Sequence, residues 1–152
     1  MLIVRRHSVM TVSAVKLEDL VDALEWVSVD SFSDNEAYLC ITTGQTHLHG
    51  NEMEVDVDPL PEDIEDSAKY AAIPDKHELQ LVTNLVFRFV EDVLPDEYSS
   101  VQSIFRRRGA YSRFKDLLEE HSVLERWYEF EDLMQKEALK DWCAQRGIKY
   151  RE

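Results

Sequence analysis

The chain has 152 residues, of which 44% are hydrophobic and 10% aromatic. That length buries roughly 70% of the surface an unfolded chain exposes and suits one ordinary globular domain rather than a disordered segment. Its formal charge is −14, and the surplus is uneven: residues 1–94 hold 6 basic and 19 acidic side chains, residues 95–152 hold 11 and 12. Such a field repels nucleic-acid phosphates and excludes duplex nucleic acid as a partner for the whole surface.

Residues 1–15 read as a flexible N-terminal extension ahead of a single domain over 16–150, and Met10 is an alternative start to Met1. The opening Met1 to His7 lacks the apolar core and cleavage site of a signal peptide, and no apolar run is long enough to cross a bilayer. Cys40 and Cys143 form no ligand-type spacing. These features predict a cytoplasmic protein with two reduced thiols, no membrane partner and no cofactor.

From Lys16 to Trp26 the positions Leu17, Leu20, Val21 and Leu24 recur at helical spacing with acids between them, predicting one N-terminal amphipathic helix. Ser31 to Glu36 then reads as a loop. Residues 36–42 alternate, Thr43-Gly44 suits a two-residue turn, and 45–49 alternate again, predicting a hairpin. That turn would set Cys40 opposite His47, Leu39 opposite Leu48 and Tyr38 opposite His49. One face, Leu39, Ile41 and Leu48, would meet the core; the other would carry Tyr38, Cys40, His47 and His49.

Residues 51–66 hold eight carboxylates, no base and two prolines, the composition of a solvated loop with one turn at Pro61 to Asp66. The stretch lacks the order and terminal bidentate Glu of a calcium loop. Lys69 to Ile73, stopped by Pro74, reads as a third strand that pairs with the hairpin.

After Pro74 the pattern is helical. Asp75 and Glu78 resemble a capping box, followed by the stripe Leu79, Val82, Val86, Phe89, Val90 and Val93. Pro95 opens a second helix, which Gly109 would end in a left-handed conformation. A short helix carries Tyr111, Phe114, Leu117 and Leu118. Ser122 and Glu125 form another capping box before a long helix with Leu124, Trp127, Phe130, Met134, Ala138 and Trp142, closed by Gly147. The predicted fold is α+β: a small three-stranded antiparallel sheet (36–42, 45–49, 69–73) followed by a four-helix C-terminal cluster, with one N-terminal helix.

Several runs together carry a resemblance. They are Glu36-Ala37-Tyr38-Leu39 with Thr43-Gly44, Pro61-Glu62-Asp63-Ile64 with Tyr70, Ile73 and Pro74, and Arg107-Arg108-Gly109-Ala110-Tyr111. Arg113-Phe114-Lys115-Asp116-Leu117-Leu118, Trp127-Tyr128 with Phe130, Trp142 and Gly147-Ile148 complete the set. On these the span from Lys16 to Ile148 resembles uncharacterised protein family 0158, a bacterial family. The resemblance implies a soluble bacterial protein and carries over no functional residue.

Residues 106–115 concentrate four arginines and a lysine at a junction between two helices. Helix-start amides lack helical partners and carry partial positive charge, and arginine forks match phosphate or carboxylate oxygens. The anion-binding candidates are therefore Arg106, Arg108, Ala110, Tyr111, Arg113 and Lys115. The plainer account is that these bases pair internally with Asp96, Glu97, Glu125, Glu129 or the 51–66 acids, with Tyr111 and Phe114 in the core.

Cys40, His47 and His49, with Glu52 and Glu54 just beyond, include soft and imidazole ligands for a transition metal. A half-solvated outer sheet face explains them better, so no metal site is assigned. His7, His77 and His121 are scattered, and no Ser or Cys elbow suggests nucleophilic catalysis. Three functions remain in order: a non-enzymatic acidic module meeting a basic partner protein, a small-anion or nucleotide-phosphate binder using the 106–115 cluster, and a metal-assisted hydrolase.

Overall fold

A computed structural model describes residues 13–28, 34–50 and 60–152. The described chain is α+β and divides into two compact units, one of residues up to Leu79 and from Lys136 onward, the other Gln80–Gln135.

The first unit opens with β1 (Val15–Lys16), which pairs in parallel with β5 (Tyr150–Arg151), Val15 opposite Tyr150. Residues 13–15, expected in a loose extension, are therefore tied down: Val15 is buried, and the Ser13 amide donates to the Thr42 carbonyl. Residues 1–12, including Met10, lie outside the described residues. Helix α1 (Leu17–Val27) buries Leu17, Leu20, Ala23 and Leu24, as its apolar spacing requires.

The antiparallel sheet has the order β3 (Thr46–His49), β2 (Glu36–Cys40), β4 (Tyr70–Ala72), with β2 central. Its hairpin register differs from the expected one by two residues. Leu39 faces Thr46, Tyr38 faces His47, Ala37 faces Leu48 and Glu36 faces His49. The turn is longer than two residues: the Gly44 amide returns to the Cys40 carbonyl, and the Cys40 amide donates to the Gln45 carbonyl. Ile41 thus leaves the strand for the turn. An even slip keeps each side chain on its own face. Ala37 and Leu39 are buried, while Tyr38, Cys40 and His47 are half-exposed on the other side. The Trp26 indole N–H, 3.1 Å from both the Glu36 and the His49 carbonyl oxygens, ties α1 to this opposed pair. The 61–66 turn is present, closed by Ile64 N–H to the Pro61 carbonyl and Asp66 N–H to the Asp63 carbonyl; residues 51–59 lie outside the described residues.

The second unit holds α2 (Thr83–Val93), a 3-10 turn (Pro95–Glu97), α3 (Tyr98–Ile104), α4 (Ala110–Glu120) and the start of α5 (Leu124–Arg146). Its core gathers Leu85, Val86, Phe89, Val90, Val101, Phe114, Leu118 and Trp127. Helix α2 starts later than expected. Asp75 does cap a turn, its carboxylate accepting from the Glu78 amide, but Gln80 takes φ +58 and breaks the run.

Ser122 likewise does not cap α5. It sits at φ +60, with its amide on the Glu119 carbonyl and the Val123 amide on the Leu118 carbonyl. That pair of bonds is a Schellman closure of α4, with Val123 packed beside Leu118. Gly147 closes α5 in the same way, its amide on Ala144 and the Ile148 amide on Cys143.

Candidate functional site

The arginine segment bridges α3 and α4 within the second unit. Helix α3 ends at Ile104, and its last turn is tightened by Arg106 N–H to the Ser103 carbonyl and Arg107 N–H to the Ile104 carbonyl. Gly109 is left-handed, as the sequence suggested, at φ +73. Its role differs: it lies beyond the end of α3 and stands as the N-cap of α4, its carbonyl accepting from the Arg113 amide. No side chain caps the start of α4, and its first turn contains no acid. No acid in the helix's own first turn offsets its positive end.

Arg106, Arg107, Arg108 and Arg113 are all exposed. Among the described residues none of them forms an ion pair; Glu97, offered above as an internal partner, instead faces His121 at 3.5 Å. Lys115 is half-buried with its ammonium 5.6 Å from the centre of the Tyr128 ring, a cation–π placement. Ala110 is half-buried at the first helical position, and Tyr111 is 39% exposed. Burial, and then the Glu131 carboxylate, raise the Tyr111 phenol above its ordinary pKa.

Phe114 is fully buried and touches Trp127 with ring centroids 5.1 Å apart, so it belongs to the core. The segment thus presents arginines, the exposed Tyr111 and a helix start outward, while the aromatic residues on either side anchor its backbone. Oxyanions are what such a set recognises.

Among the described residues of the outer sheet face, the candidate metal ligands are not brought together. The true register sets His47 against Tyr38 rather than Cys40, and His47 packs edge-on to Tyr70 at 6.0 Å. Among the described residues no group of three His, Cys, Asp or Glu side chains could hold a metal ion; Glu52 and Glu54 lie outside them.

Two features of this face were missed in the sequence. The Tyr38 hydroxyl donates to the Glu36 carboxylate at 2.5 Å; that bond, then burial and the negative charges of Glu36 and Glu65, push the phenol up to about 12. At Cys40 burial raises the thiol pKa, but hydrogen bonds from Thr43, side chain and backbone, and from the Thr42 backbone outweigh it and leave the group below the ordinary value. The buried Cys143 is driven the other way, to about 11, by burial alone. Glu36 and Tyr38, two apart on a strand, share a face and so are visible as neighbours in retrospect; the Thr43 contact depends on the longer turn and has no such signal.

Among the described residues no helix is long and apolar enough to cross a membrane. Residues 10–151 match the Uncharacterised protein family (UPF0158), and the chain belongs to that family. No curated protein and no solved structure matches it significantly.

Proposed function

We propose that this member of the UPF0158 family acts without catalysis, binding a partner protein through the acidic surface of its sheet-bearing unit. One observation carries the reading: every exposed residue of α1, namely Glu18, Asp19, Asp22 and Glu25, is a carboxylate. The described residues of the unit to which α1 belongs include 15 acidic and 8 basic side chains, so its field draws a basic partner and repels an acidic one. Glu18 and Glu25 already have lysine partners in Lys136 and Lys76, each at 3.0 Å. Asp19 and Asp22 have no ion pair among the described residues. The reading includes a cytoplasmic setting, where Cys40 and Cys143, both free, stay reduced.

The test is capture of partners from a low-salt extract by the immobilised chain and by an Asp19→Asn/Asp22→Asn variant. Basic proteins are expected on the wild type, released by about 0.5 M salt and absent from the variant. Equal capture by both chains overturns the reading.

A second reading is favoured by the four exposed arginines that pair with no described carboxylate. In it, Arg106, Arg108, Ala110, Tyr111, Arg113 and Lys115 bind a small anion or a nucleotide phosphate. A ligand that binds only the native chain must raise its melting temperature. Inorganic phosphate, ATP and polyphosphate at millimolar concentration are expected to raise it in the wild type and not in Arg108→Gln/Arg113→Gln. An unmoved wild-type transition retires this reading and leaves the first intact.

A further inference from the structure

The outer face of the sheet borders an open hollow of about 540 Å³, lined by β2, β4, the 64–67 turn and the C-terminal end of α5 with the residues after it. All of its walls belong to the first unit. The volume lies in the range of small-molecule sites. Its apolar lining comes from Ile41, Ile64 and Ile148 together with the alanines of β4.

Most of the polar groups there are already engaged. The Tyr38 hydroxyl is committed to Glu36, and the Tyr70 hydroxyl lies beside the Asp63 carboxylate. Two full charges are not engaged in this way. Glu65 and Arg146 both line the hollow, carry opposite sign, and form no ion pair with each other or with any other described residue. Arg146 is steadied by its stacking over the Trp142 ring, 5.4 Å from the centroid, which orders the guanidinium without neutralising it.

The strand edge adds hydrogen-bonding capacity. Leu39 lies opposite Ala71 in the ladder, and the bonds Ile41 N–H to Lys69 and Ile73 N–H to Ala37, on either side of β4, fix Ala71 as the β4 residue whose backbone groups face β2. Alternation in an antiparallel ladder then turns the backbone groups of Ala72 away from β2, at a strand that also lines the hollow.

We infer that this hollow binds a small apolar zwitterion, an apolar α-amino acid or a dipeptide of such residues, with its carboxylate on Arg146, its ammonium on Glu65 and its side chain among the three isoleucines. Neither a simple anion nor a simple cation satisfies both walls, and a fully polar ligand leaves the isoleucines unused. The site is independent of the α1 face and of the arginine segment, so its failure leaves both readings above standing.

The experiment is calorimetric titration of the full chain with leucine and leucyl-leucine, beside N-acetyl-leucine, which lacks the ammonium, and leucinamide, which lacks the carboxylate. The two blocked compounds are expected to bind about tenfold more weakly than leucine, the loss of one charge-assisted contact. In Glu65→Gln, leucine and N-acetyl-leucine become equal; in Arg146→Gln, leucine and leucinamide become equal. The blocked ligands probe the same two charges in the unaltered chain, so the test does not depend on the variants folding. No heat and no melting shift with leucine or leucyl-leucine at about 10 mM overturns the inference, as does binding that is indifferent to both blocking groups.

Discussion

Phe105 and Tyr111, which flank the arginine segment, meet edge to face with ring centroids 5.1 Å apart and planes at 90°. Phe105 continues to Phe114 at 5.7 Å, and Phe114 to Trp127 at 5.1 Å. The chain between the two flanking rings is therefore pinned to the core at both ends while its three guanidiniums, those of Arg106, Arg107 and Arg108, remain in water. Breaking the contact tests this pinning. A double-mutant cycle of Phe105→Leu and Tyr111→Leu, read by urea denaturation, is expected to show a coupling of about 0.5–1.5 kcal/mol beyond the separate losses of buried area.

Two left-handed glycines separate backbone preference from crowding. At Gly109, φ +73, an added Cβ meets nothing within 4 Å; at Gly44, φ +75, it would come within 2.8 Å of the Ala14 carbonyl oxygen. Gly109→Ala should cost about 1 kcal/mol, the conformational penalty alone. Gly44→Ala should cost more, because backbone must move to admit it. Equal melting curves for the two variants would contradict this.

Ser122 occupies a left-handed position where glycine is the usual residue. Its amide bond to Glu119 is made by the backbone and survives substitution. Ser122→Gly should therefore stabilise the chain by about 0.5–1 kcal/mol, the relief of strain exceeding the added freedom of the unfolded state. Chemical denaturation reads the sign directly.

The two thiols should differ in reactivity. Cys40 is half-exposed with a lowered pKa, and Cys143 is fully buried with its pKa raised to about 11. Iodoacetamide at neutral pH should alkylate Cys40 first, as followed by mass spectrometry. Thr43→Val removes the side-chain hydrogen bond and should slow that reaction.

Tyr38 predicts an alkaline limb of stability. Its folded pKa of about 12 exceeds the ordinary value of 10.0, so the bond to Glu36 favours the native chain while the phenol is protonated. This stabilisation is fully present below the unfolded pKa and is lost as pH rises through the folded one. Denaturation midpoints should fall between these values in the wild type and fall less steeply in Tyr38→Phe. A parallel fall in both chains would contradict the assignment.

The class of the fold, the pairing of three strands and most of the buried stripe of α1 are legible, because apolar periodicity records which face meets the core; in α5 the expected stripe includes the buried Trp127 and Trp142 but not the buried Leu139 and Cys143. What escaped has physical reasons. Gln80 and Ser122 adopt left-handed conformations that nothing in their side chains announces, so the capping patterns at Asp75 and Ser122 point to helix starts that the backbone does not make. The hairpin slipped by two because Gly44 closes a four-residue turn instead of a tight one, while face membership survived because the slip is even. The β1–β5 pair was invisible, being two residues on each side with its halves near opposite ends of the sequence. For the arginine segment the residues themselves could be named, but exposure against internal pairing depends on where distant acids fall. Glu65 and Arg146 share a hollow for a reason of topology alone.

The split of the first unit across the sequence governs how it can be made. Val15 and Lys16 have their strand partners at Tyr150 and Arg151, so a nascent chain emerging from the ribosome must hold β1 open until residues 150–151 have emerged. The helices of Gln80–Gln135, contiguous and rich in short-range contacts, are available to fold before that closure. Synthesis order and assembly order therefore run in opposite senses: β1 is made before the helices and locked after them.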